Sequence, residues 1–177
     1  TATVVITVIA AQVEETTVIP DTGFASGSNL ILDLMLSGEY NEPAQIIPLS
    51  DGRSLILGTV VNSSGPEIFV ARLNADGSID SAYADKGVFR SKILSVYSTE
   101  QAVAAVLTSS NELVVLANYS ENTDSGFYLI KLNQDGSLDN DFGNLQGYVL
   151  CEFTPCDTAD VHATDLVLNH LGHYVVA

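Results

Sequence analysis

An eight-residue pattern, Leu-Asn-x-Asp-Gly-Ser-(Ile/Leu)-Asp, occurs twice in the chain, at Leu73–Asp80 and at Leu132–Asp139. We call the distance from Asp80 to Asp139 the period. Asp21 lies one further period before Asp80, and an aromatic residue follows three positions after each of the three aspartates. These aromatic residues are Phe24, Tyr83 and Phe142. A fixed period of this length indicates an internal repeat, so the chain is predicted to contain about three similar units.

Each unit contains short apolar segments separated by turn-forming residues, and no segment has a sustained helical period. The strands predicted in the first unit are Asn29–Leu34, Ala44–Leu49, Ser54–Val61 and Glu67–Leu73. Those predicted in the second unit are Val88–Val96, Ala102–Leu107, Glu112–Asn118 and Gly126–Leu132. Those predicted in the third are Gly147–Phe153, Ala163–Leu168 and Tyr174–Ala177. The chain is therefore predicted to be all-β, with four-stranded antiparallel meanders like the blades of a β-propeller.

The period divides the chain into a leading strand at 1–19 and three repeats at 20–79, 80–138 and 139–177, which together form one domain. The third repeat is truncated, and the leading strand is expected to complete it or to pair with a neighbouring chain. Propellers close with four to eight blades, so three units make an incomplete ring. Three interpretations stay open: a fragment of a longer chain, chains that associate into a ring or a stack, and an open sandwich.

The repeated pattern is predicted to form a sharp turn. Gly77 and Gly136 can adopt the positive φ that such a turn requires, and the neighbouring Asp, Asn and Ser side chains can bond backbone N–H groups. The turn is expected to follow the fourth strand of one unit and to lead the chain into the next. Tyr83 and Phe142 are expected to fill the space between neighbouring units.

These segments, FVARLNADGSIDSAYADKGV and YLIKLNQDGSLDNDFGNLQGYV, resemble the delta-60 repeat, a propeller-like repeat of bacterial secreted and surface proteins. The later segment matches the family pattern well, including Phe142, Gly143 and Gly147. The earlier one has Tyr83-Ala84 where the family has Phe-Gly, and the stretch around Asp21 retains only the aspartate and Phe24. The resemblance implies a propeller-like fold and a secreted or cell-surface location, and it implies little about activity.

The charge composition of the chain restricts the classes of partner that it is expected to bind. The chain has 6 Lys and Arg against 22 Asp and Glu, a net charge of −16. Nucleic acid is not an expected partner, because phosphate contacts need basic side chains. Insertion into a membrane is not expected either, since no apolar run approaches the roughly 20 residues of a spanning helix. A cationic partner such as Ca²⁺ suits this charge, although acidity also serves solubility alone.

Calcium is the one possible cofactor, because oxygen-bearing side chains alternate around each glycine of the repeated pattern. The candidate ligands are Asn74, Asp76, Ser78, Asp80, Asn133, Asp135, Ser137 and Asp139. The bidentate glutamate that completes a calcium loop is missing from both copies. The alternative is that the same side chains only cap the turn.

Cys151 and Cys156 are the only cysteines, and they lie close together in the sequence CEFTPC. A disulfide between them would close a small loop and would indicate an oxidising compartment, in agreement with a secreted or cell-surface protein. Two reduced cysteines near a strand end are the alternative. A zinc site would need further ligands such as Asp157 and His162.

No catalytic motif is present, so the leading hypothesis is a non-enzymatic scaffold that binds a protein or glycan partner through its loops. The candidate loops are Ser37–Pro43, Tyr97–Gln101 and Thr154–His162, with Tyr40, Glu42, Tyr97 and Glu100 as exposed contact residues. One alternative is a self-associating subunit of a fibre, sheath or surface layer. The other is a polysaccharide-active enzyme, which would need two inward carboxylates close together.

Overall fold

The structure is a computed structural model, and it describes residues 4–6, 9–10, 19–20, 22–25, 30–32, 40–63, 65–94, 98–121, 124–150 and 161–177. The strands in these ranges are β1 (Val4–Ile6), β2 (Ile9–Ala10), β3 (Ile19–Pro20), β4 (Leu30–Leu32), β5 (Tyr40–Pro48), β6 (Ser54–Asn62), β7 (Gly65–Leu73), β8 (Val88–Ser91), β9 (Thr99–Leu107), β10 (Leu113–Glu121), β11 (Asp124–Leu132), β12 (Tyr148–Leu150), β13 (Leu166–Leu168) and β14 (Tyr174–Val176). A single helical turn, α1 (Phe142–Leu145), precedes β12. No helix in the described ranges is long and apolar enough to span a membrane.

Two four-stranded antiparallel sheets form the centre of the molecule. The first has the order β5-β6-β7-β8 and the second has the order β9-β10-β11-β12. Each sheet is a meander, since strands that follow one another in the chain are hydrogen-bonded neighbours. We call residues 40–91 the first blade and residues 99–150 the second. The predicted all-β class and the four-stranded, propeller-like blades are confirmed.

The sheets begin one strand later than the sequence predicted. Val88–Val96 was expected to open the second unit, and this is wrong, because β8 pairs with β7 in the first blade. The repeated turn therefore joins the third and fourth strands of one blade and does not follow the fourth. The backbone reverses direction within each turn, because Leu73 forms an antiparallel bridge with Ile79 and Leu132 forms one with Leu138. The chain then returns along the strand that it has just left.

The strands before the first blade form two short pairs. β1 is antiparallel to β4, with Val4 opposite Leu32, and β2 pairs with β3. Among the described residues β13 and β14 form a separate two-stranded sheet, so the expectation that the leading strand completes the third repeat or pairs with a neighbouring chain stays a prediction. The described residues thus form two whole blades and three two-stranded sheets.

The central strands are buried on both faces, which explains their unbroken apolar sequences. Leu55 and Leu57 of β6 face the second blade, whereas Ile56 and Val60 of the same strand pack with Phe24 on the opposite face. All five side chains are buried. Because successive residues of a strand point to opposite faces, a strand inside a stack of sheets needs apolar residues at nearly every position. The core therefore lies between the blades.

The first strand of each blade, β5 or β9, contains a register shift at an equivalent position. The register of β5 shifts between Pro43 and Gln45, and that of β9 shifts opposite Leu116 and Ala117, where Val103 has no partner. A bulge of this kind leaves backbone groups outside the ladder. Beside the second bulge, Ala102 N–H donates a hydrogen bond to Thr59 Oγ1 of the first blade at 3.0 Å.

The same link recurs at the next boundary. Asn118 lies one period after Thr59, and its side chain accepts a hydrogen bond from Ala163 N–H at 2.8 Å and donates one to Ala163 O at 2.9 Å. Ala163 precedes β13 as Ala102 lies at the start of β9. The chain beyond the second blade therefore begins a third unit in the same orientation.

Candidate functional site

The two copies of the repeated turn have the same internal hydrogen bonds. Asp76 Oδ1 accepts from Ser78 N–H at 2.9 Å and from Ser78 Oγ at 2.6 Å, and Asn74 Nδ2 donates to Ser78 Oγ at 2.9 Å. Asp135 and Ser137 repeat the first two bonds at the same distances, with Asn133 in the place of Asn74. The bonds from Ser78 lower the pKa of Asp76. The predicted capping role of these side chains is thus present in both turns.

The last aspartate of the first turn is held by two arginines. Asp80 Oδ2 accepts from Arg72 Nε at 2.8 Å and from an Arg53 amino group at 3.0 Å, and Asp80 Oδ1 accepts from Ala82 N–H at 3.1 Å. Desolvation raises the pKa of Asp80, but the bonds from Ala82, Arg53 and Arg72 outweigh it and lower the pKa overall. Asp80 is therefore an ionised partner of two guanidinium groups.

The second blade has an equivalent network in which one of the three charges is reversed, since Arg53 corresponds to Glu112. Lys131, at the position of Arg72, contacts Glu112 at 2.9 Å and Asp139 at 3.1 Å. Glu112 stands at the position of Arg53, one period later. A carboxylate between two cations in the first blade thus corresponds to a cation between two carboxylates in the second. In both cases the central group has two partners of opposite sign.

Two of the three aromatic residues that follow the repeated aspartates, Phe24 and Tyr83, pack on the glycine of the turn in the next unit. A Cβ atom on Gly136 would lie 2.7 Å from the ring of Tyr83, and one on Gly77 would lie 3.1 Å from the ring of Phe24. Tyr83 is 2% exposed, and the guanidinium carbon of Arg72 lies 4.5 Å from its ring centroid. Burial raises the pKa of Tyr83. The prediction that the aromatic residue fills the space between units is confirmed for Tyr83.

The calcium prediction remains untested, but the turn side chains already have partners. Asp80 and Asp139 are bound by cationic side chains, and Asp76 and Asp135 each bond a serine two residues later. Among the described residues, no three His, Cys, Asp or Glu side chains are grouped so that they could hold a metal ion. The geometry of both turns is therefore that of a capped turn.

A polar cleft of about 410 Å³ lies where the turns of the two blades meet. Its lining includes Asp51, Arg53, Arg72, Asn111, Gln134 and Asp135. Arg72 links the two blades, since one of its amino groups donates a hydrogen bond to Gln134 O at 2.6 Å.

We call this side of the blades the turn end, and it comprises residues 49–53, 74–87, 108–112 and 133–147. The opposite side, which we call the hairpin end, comprises residues 62, 65, 121 and 124 and the starts of β5 and β9.

The carboxylates that share Arg53 in the cleft do not suit the hydrolysis of a glycoside. Asp51 and Asp80 both contact Arg53, at 2.7 and 3.0 Å. The Arg53 bonds lower the pKa of Asp51, and the pKa of Asp80 is lowered as well. A glycosidase needs one carboxyl group with a raised pKa to protonate the leaving group. This pair therefore lacks the general acid that the enzymatic alternative requires.

Glu100 is not an exposed contact residue, and this prediction is wrong. The side chain is fully buried at the start of β9, at 0% exposure. Its carboxylate accepts from Ile93 N–H at 3.0 Å, Leu94 N–H at 2.9 Å, Ser98 Oγ at 3.1 Å and Tyr128 OH at 2.6 Å. A buried carboxylate is tolerated only with such bonds. Burial, together with the Glu100 charge and its hydrogen bond, raises the pKa of Tyr128.

The bonds of Glu100 define an anchored crossover. The chain leaves β8 at Ser91, passes residues 92–98, and enters β9 at the hairpin end. Two backbone N–H groups at the beginning of this connection and the Ser98 hydroxyl at its end point to one carboxylate. A glutamate in an alternating strand pattern normally predicts an exposed position. The one available sign was that the equivalent residue one period earlier, Asn41, is also polar.

The other predicted contact residues have different outcomes. Tyr40 is 44% exposed and Glu42 is exposed, as expected, but both lie in β5 and not in a loop. Tyr97 lies outside the described residues, and so do Cys151 and Cys156 with their predicted disulfide. Of the candidate loops, 37–39, 97 and 154–160 also lie outside them. Tyr40 and the start of β9 are both at the hairpin end.

A family model described as a domain of unknown function (DUF5122) beta-propeller matches residues 49–83 and 108–142. The two segments are one period apart and end at Tyr83 and Phe142, so the same part of the repeat is matched twice. No curated protein and no solved structure matches the chain significantly. The family match and the two four-stranded sheets show that the chain is built from β-propeller-like repeats.

Proposed function

We propose that this chain is a non-enzymatic scaffold that binds a protein or glycan partner at the hairpin end of its blades. It would act as a repeat protein of the delta-60 type, secreted or displayed at a cell surface. The observation that carries the proposal is the anchored crossover at Glu100. Three hydrogen bonds to one buried carboxylate hold both ends of the connection that leads into the second blade, and a fourth, from Tyr128 OH, ties the same carboxylate to β11.

Support of this kind favours binding, because residues that are held in place before a partner docks, as Ile93, Leu94 and Ser98 are, lose less conformational entropy on binding. Exposed residues lie at the same end of the blades. Tyr40 offers a large amphipathic side chain, and Glu42 adds a carboxylate on the same strand. Tyrosine is among the residues that contribute most to binding energy in interfaces. With a net charge of −16, the chain suits a neutral or cationic partner surface better than an anionic one.

The test uses the whole chain, labelled with biotin, on two printed arrays. One array carries neutral and acidic oligosaccharides, and the other carries synthetic peptides of graded net charge. Binding to either array should fall more than tenfold in Tyr40→Ala. The matched control is Ile46→Ala, which alters a residue of the same strand that is 51% exposed but lies toward the turn end. The absence of binding on both arrays, or an equal loss in the two variants, would overturn the proposal.

A further inference from the structure

The cleft at the turn end, which has a volume of about 410 Å³, lies between the two blades. Its polar lining comes from both blades, with Asp51, Arg53 and Arg72 in the first and Asn111, Gln134 and Asp135 in the second. Small-molecule sites usually have volumes of about 300–1,000 Å³, and they often lie where two structural units meet. The size and the position of the cleft are therefore those of a small-ligand site.

The walls of the cleft are held in place by hydrogen bonds of the protein. The Arg72 side chain is 8% exposed, and it donates from Nε to Asp80 at 2.8 Å and from one amino group to Gln134 O at 2.6 Å. Its guanidinium group also lies over the buried ring of Tyr83. Gln134 Nε2 in turn donates to Ser110 O at 2.6 Å, which joins the repeated turn of the second blade to the turn between β9 and β10. A ligand that docks here therefore orders few side chains, which lowers the entropic cost of binding.

Asn111 has a left-handed backbone conformation at a position where the equivalent turns have glycine. The angle φ is +56° at Asn111, +88° at Gly52 and +80° at Gly172. In each turn, the N–H of this residue donates to the carbonyl oxygen of the residue three positions earlier, so the three positions are equivalent. Residues other than glycine are uncommon in this region, although asparagine tolerates it better than most. Of the three residues, Asn111 is the one that lines the cleft. The less favourable conformation thus occurs where the side chain can contact a ligand.

Several hydrogen-bonding groups of the lining residues are available to a ligand. Gln134 bonds through Nε2 and Asp135 bonds through Oδ1, which leaves Gln134 Oε1 and Asp135 Oδ2 without a partner among the described residues. Within the same ranges, Arg72 bonds through Nε and one amino group, and neither its other amino group nor the Asn111 side chain has a hydrogen bond. Asn111, Gln134 and Asp135 are exposed. The cleft therefore offers donors and acceptors together.

The balance of charge in the cleft favours a neutral ligand. The lining has two guanidinium groups, Arg53 and Arg72, and two carboxylates, Asp51 and Asp135. An anion would also be repelled by the net charge of −16 on the chain. An apolar ligand would cover the donors and acceptors of the cleft without replacing their bonds to water. A sugar hydroxyl both donates and accepts, so adjacent hydroxyls of one ring can bond donors and acceptors that lie close together.

We propose that the cleft at the turn end binds a neutral saccharide. The Asn111 amide and the second amino group of Arg72 donate hydrogen bonds to hydroxyl oxygens of one sugar ring, and Gln134 Oε1 and Asp135 Oδ2 accept hydrogen bonds from its hydroxyl groups. The site is separate from the partner surface proposed above, because that surface lies at the hairpin end of the blades. The saccharide is either free in solution or the end of a glycan chain, since both present the same hydroxyl groups.

The test titrates the whole, isotopically labelled chain with the methyl glycosides of glucose, galactose, mannose and N-acetylglucosamine, and with glucuronic acid as the anion. At least one neutral glycoside should bind saturably and should shift the backbone amide signals of Asn111 and Gln134 in nuclear magnetic resonance spectra. The absence of a saturable shift with every neutral glycoside, or a higher affinity for glucuronic acid, would overturn the proposal.

The position of the shifts separates this proposal from the previous one. Shifts at Tyr40 without shifts at Asn111 would place the sugar at the hairpin end, which would overturn the cleft as the site and would support the partner surface proposed above. Disaccharides that extend the bound glycoside then distinguish the two sources of the ligand. Tighter binding of a disaccharide would identify a chain end, and equal binding would identify a free sugar.

Asn111→Gly separates a binding role from a structural one. Because glycine occupies the equivalent positions, this variant should be at least as stable in urea as the wild type. It should bind the glycoside about tenfold more weakly, which corresponds to the loss of one hydrogen bond. Asn111→Asp keeps the shape of the side chain but replaces the amide donor by an acceptor, and it should show a similar loss.

Asn140→Gly is the matched control, since Asn140 is an exposed residue of the turn end that does not line the cleft. This variant should bind the glycoside with the affinity of the wild type. Equal affinities of Asn111→Gly, Asn111→Asp and the wild type would overturn the proposal.

Discussion

The ring of Tyr83 in the first blade packs directly on the backbone of Gly136 in the second. Tyr83 lies in the segment that leads to β8. A Cβ atom at Gly136 would lie 2.7 Å from that ring, and φ at this glycine is +85°. Space and backbone conformation therefore both demand glycine at the boundary. The aromatic residue and the glycine belong to the same repeated pattern, so each unit carries one surface of the boundary before it and one of the boundary after it.

Gly136→Ala should destabilise the chain by about 2–5 kcal/mol, since a left-handed conformation costs an L-residue about 1–2 kcal/mol and overpacking against a buried ring adds about 1–3 kcal/mol. Gly172→Ala is the matched control, since φ there is +80° but nothing lies within 4 Å of the added Cβ. It should cost only the conformational part. The free energy of unfolding in urea gives both values, and equal losses in the two variants would mean that the contact with Tyr83 contributes nothing.

Glu100 and Tyr128 should be strongly coupled. Glu100→Gln replaces one acceptor oxygen by a donor among four existing donors, so it should cost about 2–3 kcal/mol, and Tyr128→Phe should cost about 1–2 kcal/mol. The double variant should lose less than the sum, because the bond between the two side chains is removed only once. Urea unfolding of the four proteins measures this coupling. Glu42→Gln, on an exposed side chain of β5, serves as the control and should change the free energy by less than about 0.5 kcal/mol. Additive losses would contradict the geometry.

Asp80→Asn should destabilise the chain at neutral pH and not at low pH. The variant leaves Arg72, whose side chain is 8% exposed, without its carboxylate partner, which should cost about 2–3 kcal/mol. The folded state lowers the pKa of Asp80, so the carboxylate stabilises the fold above its ordinary pKa of 3.8 and loses this contribution as pH falls below that value. The difference in unfolding free energy between wild type and Asp80→Asn should therefore shrink from neutral pH to strongly acidic pH. The control Asp85→Asn, on an exposed side chain nearby, should change the unfolding free energy at neutral pH by less than about 0.5 kcal/mol.

Calcium binding at the repeated turns can be measured directly. Because Asp80 and Asp139 are already paired with Arg and Lys, we expect a millimolar excess of Ca²⁺ to leave the melting temperature nearly unchanged. A ligand that binds only the folded state stabilises it in proportion to the logarithm of its concentration. A saturable rise in melting temperature with Ca²⁺, lost in Asp76→Asn with Asp135→Asn, would show that the turns bind the ion.

The fold was largely predictable from the sequence because its period fixes the unit and its apolar segments fix the strands. β6, β7, β10 and β11 lie where the apolar runs predicted them. The sequence did not show which sheet takes Val88–Ser91, since a strand after a turn can pair backward or forward with the same pattern of residues. That choice depends on the bridge between Leu73 and Ile79, which turns the chain back before the outer strand begins.

The candidate site was less predictable. Tyr40 and Glu42 are exposed as expected, because β5 is an edge strand and the two residues alternate with the buried Asn41 on its solvent-facing side. Glu100 is buried because four donors from three separate parts of the chain converge on it, and such convergence exists only in the folded state. The period of a strand indicates which face of the sheet a residue lies on. It does not indicate which hydrogen-bond donors the neighbouring segments place against that face.

Three hydrogen bonds between the two blades share one property, which is that each has a backbone atom on at least one side. Arg72 donates to a carbonyl oxygen, Thr59 accepts from a backbone N–H, and Ala84 N–H donates to Asp135 O. The polar side chains of one repeat unit can therefore change without requiring a matching change in the adjacent unit. The reversal of charge from Arg53 to Glu112 is an example, and gene duplication can insert or remove whole units of such an array at little cost to the boundaries that remain.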